Sequence, residues 1–380
     1  MAVNYYSLGR DKRLCDVVFA GSHDAGIYKG GAPTRAQRDS IAVQAGHGAR
    51  FFDVRVGAFK TLNKVNMKTF HADDKLQLNR RMDVKVNLPG GKQNMKIMAL
   101  PVGGHAGEGL QSILAGAKAF VDGSTEFVVL IFSKSTNMDL VVSEVDVILG
   151  AHQFATDGPL NTRTLGELQG HVVCVYTEDE DLTLQLASYQ HHAGATGRRF
   201  GMKNLFKEGG GYVAGYNGIQ YYGKGGLTRD VSGTKNKVDR NAALQKEKMV
   251  AGGGVAGCEE LLGMVYVTAT GGIGSLKDRD KKLWKSKRIN PLLNIWESDD
   301  VADNVVVRLP NNVDPSAESS SALVKSFFPN IVMMDFTDRQ RCETIFNINK
   351  QSPGPLGQER ALLRTGSQAA TQALAARQVI

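Results

Sequence analysis

Residues 126–133, EFVVLIFS, form a continuous apolar run without the alternation of a half-exposed strand. A strand like this has to be covered on both faces, as in parallel sheets flanked by helices. Its neighbours supply the helices. Residues 109–122 (GLQSILAGAKAFVD) put Leu110, Ile113, Leu114, Ala117 and Phe120 on one helical face. A helix at 138–149 and a short one at 164–169 follow, and residues 171–176 (HVVCVY) repeat the buried-strand pattern. Strand, helix and strand in alternation commit the chain to an α/β architecture with a parallel sheet.

The same pattern extends along the chain. Further strands are expected at 15–20 (CDVVFA), 50–56 (RFFDVRV), 97–102 (IMALPV), 263–269 (GMVYVTA) and 331–336 (IVMMDF), with helices at 34–47, 237–251 and 316–328. The polar stretch 57–97 contains alternating segments such as DVKVNL and reads as an inserted hairpin. Residues 193–235, rich in Gly and Tyr, read as long loops. The expectation is an irregular (β/α)8 barrel of the TIM type over residues 1–350, and a Gln-, Ala- and Arg-rich tail at 351–380 that is loosely attached or disordered.

The net charge of +8 suits anionic partners such as phosphate esters and anionic lipid surfaces. No helix-turn-helix, aromatic RNA-binding motif or long Lys/Arg block stands out, so no nucleic-acid partner is expected. No run of 18 apolar residues occurs, so no transmembrane segment is expected. The N-terminus, MAVNYYSLGRDKRLCDVV, lacks the apolar core of a Sec signal. The protein is therefore expected in the cytoplasm or exported by a non-Sec route, acting peripherally on membranes. Cys15, Cys174, Cys258 and Cys342 are far apart and form no CxxC pair, which points to neither a disulfide framework nor a zinc site. Nothing in the chain sets an oligomeric state.

In a barrel of this type the active site gathers at the C-terminal ends of the strands. Asp24, Arg55, His105, Lys134 and Asp335 fall at or just after predicted strand ends. The segment Gly21-Ser22-His23-Asp24-Ala25-Gly26 places a His-Asp pair there, and Asp53 and Arg55, two apart on one strand, point to the same side. A histidine that moves a proton, a carboxylate that fixes its tautomer and an arginine that takes phosphate charge can split a phosphodiester without a metal.

These residues resemble a known family. GSHDAG, then Gln37 and QAGHGARFFDVRV at 44–56, look like the X-domain of phosphatidylinositol-specific phospholipases C, particularly the bacterial, metal-independent type. The similarity continues through residues 103–134, through LGELQGHVVCVY at 165–176 and through NIVMMDFTD at 330–338. The resemblance implies an irregular barrel and two histidines acting as base and acid: one takes the proton of the inositol 2-hydroxyl, the other protonates the departing diacylglycerol oxygen, and a cyclic phosphodiester forms first. It assigns the base to His23, with Asp335 orienting it, and the phosphate to Arg55. Asp53 either acts with the attacking hydroxyl or holds Arg55. Asp24 orients whichever histidine is the acid, with His105 ranked ahead of His71.

Calcium-using relatives carry Asn after the first histidine and acidic residues at the Asp-x-Arg strand. Here Asp24 and the cation Arg55 stand instead, so no metal or other cofactor is expected. One departure concerns the head group. Bacterial members place a basic residue after the strand matching HVVCVY, whereas this chain continues Thr177-Glu178-Asp179-Glu180. Lys134 keeps a head-group or phosphate role one residue out of register, and Tyr216, Tyr221 or Tyr222 offers an aromatic platform. The implied activity is cleavage of phosphatidylinositol-type lipids at a membrane surface. Other glycerophospholipids, sphingolipids, a glycolipid anchor, or a non-catalytic lipid- or phosphate-binding module are the alternatives.

Overall fold

The computed structural model describes residues 3–29, 35–61, 64–71, 81–88, 91–98, 105–135, 137–177, 199–208, 211–223, 260–268, 277, 280 and 329–349. For 60, 61, 64, 81–88, 91–98, 105, 207 and 208 this is the backbone alone. In chain order the strands are β1 (Phe19–Ser22), β2 (Ala49–Val54), β3 (Val56–Thr61), β4 (Lys64–His71), β5 (Arg81–Leu88), β6 (Gly91–Met98), β7 (His105–Gly109), β8 (Val128–Phe132), β9 (Val172–Thr177), β10 (Phe200–Asn204), β11 (Gly218–Gly223), β12 (Leu262–Val267) and β13 (Ile331–Met334). Between them lie α1 (Ile41–His47), α2 (Leu110–Ser124), α3 (Met138–Leu149), α4 (Leu165–Leu168) and α5 (Leu205–Glu208), and α6 (Arg339–Ile348) follows β13.

Eight strands, β1, β2 and β8 to β13, pair in parallel in chain order, and β13 returns to β1 to close a barrel. With helices between its strands this is a TIM-type α/β barrel. Every residue of β1, β2, β8 and β13 is buried, as expected for strands with side chains filling the interior on one face and helices covering the other. The covering helices show the spacing that makes this possible. Leu110, Ile113, Leu114, Ala117 and Val121 are buried along α2, and Met138, Val141, Val142, Val145 and Leu149 along α3. Each fully buried aliphatic side chain contributes about 1.5–3 kcal/mol.

The insertion is larger than a hairpin. Strands β3 to β7 form a second, five-stranded sheet in the order β5-β6-β3-β4-β7. β5 and β6 are the antiparallel hairpin that the alternation DVKVNL anticipates. Of the strand expected at 97–102, Ile97 and Met98 instead end β6, where Ile97 pairs with Ala58 of β3, and residues 99–102 lie outside the described residues.

Two barrel strands, β10 and β11, lie inside the stretch expected to be loops. Glycine hides them from a propensity reading. At Gly218, with φ +143°, a Cβ would sit 2.0 Å from the Gly201 carbonyl oxygen of the paired strand, so the barrel closes here only with glycine. The expected helix over 34–47 is reduced to α1. Residues 35–40 are loop, because the fully buried Gln37 amide serves the site instead. The helices expected at 237–251 and 316–328, and the tail at 351–380, lie outside the described residues. Among the described residues no helix is long and apolar enough to cross a membrane.

Candidate active site

The site is built at the C-terminal ends of β1, β2 and β13. Beyond Ser22 the chain turns: His23 N–H donates to Met334 O at 3.0 Å and Ala25 N–H to Asp53 O at 2.9 Å. Asp24, between them, has φ +44°, a left-handed conformation that Asp tolerates better than most residues. Two buried amides staple this turn. Gln37 Nε2 donates to His23 O at 2.7 Å and to Met334 O at 3.1 Å, and Gln44 Nε2 donates to Ala25 O at 2.8 Å. Both glutamines are fully buried.

His23 is 4% exposed. Its Nδ1–H donates to Asp335 Oδ1 at 3.0 Å, and its Nε2 lies 3.7 Å from Asp24 Oδ2 and 3.5 Å from an Arg55 Nη2. Burial opposes a charge on the ring. The charge of Asp24 and the hydrogen bond and charge of Asp335 outweigh it, with Arg55 pulling the other way, and the pKa is raised to about 9. Asp24 shows the reverse. Burial favours its neutral form, yet Arg55, His23 and His71 together hold its carboxyl well below the usual range.

Arg55 stands between the two sheets, at the single residue that separates β2 from β3. Its Nε is 3.3 Å from Asp24 Oδ1 and its Nη2 is 3.4 Å from Asp53 Oδ2. Asp53 also accepts a short hydrogen bond from Ser133 Oγ, just past β8. Asp53 is thus in contact with Arg55 at the end of β2.

The partner of Asp24 is His71, whose Nδ1–H donates to Asp24 Oδ2 at 2.6 Å. His105, ranked first on sequence, has its backbone in β7 directly opposite His71. The ranking rested on the downstream match to EFVVLIF and on a strand expected before His105; Ile97 and Met98 of that strand instead end β6. His71 arrives from the inserted sheet. Phe70 N–H donates to Arg55 O at 3.0 Å, which aligns β4 with the end of β2. Thr69 Oγ1 donates to Gly26 O at 3.1 Å, and a Cβ on Gly26 would approach Thr69 to 2.5 Å. The glycine that ends GSHDAG is thus the point where the second sheet docks against the barrel.

Of the remaining candidates, Lys134 is partly exposed on the turn after β8, with φ +48°. Tyr221 and Tyr222 are neighbours on β11, so they face opposite sides. Tyr222 meets Phe206 edge-on at 5.9 Å, and Tyr221 lies near enough to Tyr266 to influence its ionisation. Tyr216 is in the turn before β11. Tyr266 of β12 escapes a sequence reading. Its ring meets the His23 ring edge-on at 5.7 Å, and burial, with Asp53, raises its hydroxyl pKa well above 10. The one available signal was a phenol inside the apolar strand GMVYVTA.

His23, Asp24 and Asp53 offer three ligand atoms within 4.8 Å of one another, the spacing of a cation site. The Arg55 guanidinium already contacts both carboxylates. A divalent ion there would meet a fixed positive charge.

No protein-family model matches the chain, and no curated protein does. Solved structures with a similar fold are bacterial phosphatidylinositol-specific phospholipases C. The one from Listeria monocytogenes is 13% identical, with a TM-score of 0.47 over 90% of this chain and 95% of that chain. One from Staphylococcus aureus is 14% identical, with a TM-score of 0.46 over 92% and 97%. A calcium-dependent phosphoinositol-specific phospholipase C from Pseudomonas sp. is 11% identical, with a TM-score of 0.33 over 52% and 69%.

Proposed function

We propose that this chain is a phospholipase C-like phosphodiesterase that cleaves phosphatidylinositol-type lipids without a metal, with His23 as general base and His71 as general acid. The observation that carries this reading is Asp24, one buried carboxylate in contact with His71, Arg55 and His23. Two imidazoles, each backed by its own carboxylate, flank one guanidinium. That is the minimal equipment for moving a proton from a nucleophile to a leaving group across a phosphate.

In the first step His23 Nε2 takes the proton of the inositol 2-hydroxyl as its oxygen attacks phosphorus. Arg55 binds the non-bridging oxygens, where charge accumulates, through fixed donors on a side chain that stays charged. His71 gives a proton to the diacylglycerol oxygen as the phosphorus–oxygen bond breaks, leaving a cyclic inositol phosphodiester. Asp335 and Asp24 keep each ring in one tautomer. Water then opens the ring with the histidine roles reversed. Lys134 suits the phosphate or head group. Tyr221, with Tyr266, offers a wall for the sugar ring, a role for which Tyr222 is less well turned.

The test is phosphorus NMR of the protein with phosphatidylinositol or phosphatidylcholine vesicles, in chelator. A transient cyclic phosphodiester resonance from phosphatidylinositol is expected, with no effect of chelator. Consumption of phosphatidylcholine alone would replace the substrate. Loss of activity in chelator would assign a cation to the His23–Asp24–Asp53 cluster. Lipid binding without cleavage, unchanged in a His23→Ala variant, would leave a binding module.

A further inference from the structure

We propose that Asp280 is a positioning residue for the His23 arm, acting through Arg341 on the peptide that follows Asp335. The inference rests on the reading of His23 and Asp335 as the base and its orienting carboxylate.

The run 277–288 is rich in Lys and Arg, a composition that suits a solvated loop or contact with anionic lipid. Asp280, inside it, is fully buried. A carboxylate leaves water at a high cost unless something fixed receives it. Asp280 Oδ2 lies 2.6 Å from Arg341 Nη2, while Oδ1 has no hydrogen-bond partner among the described residues. Burial raises its pKa to about 7; the hydrogen bond and charge of Arg341 oppose the rise, Asp335 adds to it, and Arg38 opposes it. A group held on such terms is unfavourable for stability alone, and its partner leads to the reacting centre.

Arg341 lies in the first turn of α6 and is itself buried. Its Nη1 donates to Asp335 O at 2.6 Å. The next residue, Phe336, has φ +49°, a left-handed conformation that a bulky side chain adopts only under constraint. Three hydrogen bonds supply that constraint: Arg341 on Asp335 O, Phe336 N–H to Ala36 O at 2.7 Å, and Thr337 N–H to Gln37 Oε1 at 2.9 Å. Gln37 is the amide that also holds His23 O. The turn therefore sets the Asp335 carboxylate against His23 Nδ1, and of the two side chains in these bonds, Gln37 and Arg341, the arginine carries a charge that needs compensation. Asp280 provides it at 2.6 Å, where Asp338 reaches Arg341 Nε only at 3.7 Å. Loss of Asp280 removes the 2.6 Å contact that draws the guanidinium away from Asp338 and fixes its other nitrogen on the Asp335 carbonyl.

The test compares full-length wild type with Asp280→Asn and Asp280→Glu, read by proton and nitrogen NMR of His23 in the free protein and by kcat and KM on phosphatidylinositol vesicles. In wild type a low-field Nδ1 proton is expected for His23, with a titration midpoint near 9. In Asp280→Asn that proton should broaden or vanish and the midpoint fall by a unit or more. The kcat should drop tenfold or more with KM within twofold, and Asp280→Glu should recover most of both. An Asp280→Asn protein that is folded by circular dichroism, with the low-field proton intact and the midpoint moved by only a few tenths, would show a remote charge effect and overturn the proposal. If Asp280→Asn does not fold, Arg341→Lys carries the same test: it keeps the ion pair but not the fork onto Asp335 O, so an unaltered His23 signal would again overturn it. The NMR arm needs no substrate. A wild type that cleaves no phosphatidylinositol, together with the His23 changes in Asp280→Asn, would end the functional reading and leave the positioning role standing.

Discussion

Between Asp24 and Asp335 the His23 ring is flanked by two carboxylates, and its raised pKa has two consequences. The first concerns rate. The free protein carries His23 mostly as imidazolium at neutral pH, so the fraction able to act as base grows as pH rises toward about 9. The kcat/KM for phosphatidylinositol should climb through this range, and in Asp335→Asn the midpoint of the climb should move down while the plateau falls. The second concerns stability. The folded value lies above the unfolded value of about 6.5. The stabilisation is therefore complete below that pH and is lost as pH rises through about 9. Urea titrations between pH 6 and 10 should show a loss on the order of 3 kcal/mol from this group, much smaller in Asp335→Asn. At the same scale His71 and His105 separate. His71→Ala should lower kcat by roughly 10²–10⁴, whereas His105→Ala should stay within a few-fold; equal losses would put both rings in the reaction.

Among the elements, those with a continuous apolar run or a clean helical stripe were readable: β8, β9, α2 and α3 lie within a residue or two of where the pattern puts them. β10 and β11 were not, because Gly201, Gly218 and Gly223 lower strand propensity where the paired backbones approach closely. The residues His23, Asp24, Asp53, Arg55 and Asp335 were legible because each sits at a strand end with chemistry a loop does not need. His71 and Tyr266 were harder. One comes from outside the barrel, and the other is a single phenol in an apolar strand. A further element shows no sequence motif at all. The N-terminal turn Tyr5–Leu8 seals the base of the barrel: Tyr5 N–H donates to Glu126 Oε1 at 2.8 Å, and Arg50 Nε donates to Glu126 Oε2 at 3.1 Å. Arg50 is 1% exposed and lies over the Tyr5 and Phe120 rings. Glu126→Ala would strand that guanidinium and should cost about 3–5 kcal/mol in denaturant unfolding, with little change in kcat, since this cluster lies at the opposite end of the strands from His23.

For the molecule as a whole, barrel closure could be inferred from the alternation of strands and helices, but of the second sheet only the β5–β6 hairpin could. The strands of this sheet mix polar and apolar residues along their length, and the sheet meets the barrel through a neighbouring framework. That framework here is the loop from Asp24 to Gly26, where Thr69 docks.

In the proposed mechanism the base comes from one sheet and the acid from the other, which makes the two halves of catalysis separable. An alkoxide departing from a lipid needs a proton; a nitrophenolate does not. If the joint between the sheets is loosened, for example by Gly26→Val, a chromogenic inositol phosphate ester should still be turned over while the natural ester is spared. The barrel would then persist as a transferase with half its proton relay, selective for activated leaving groups.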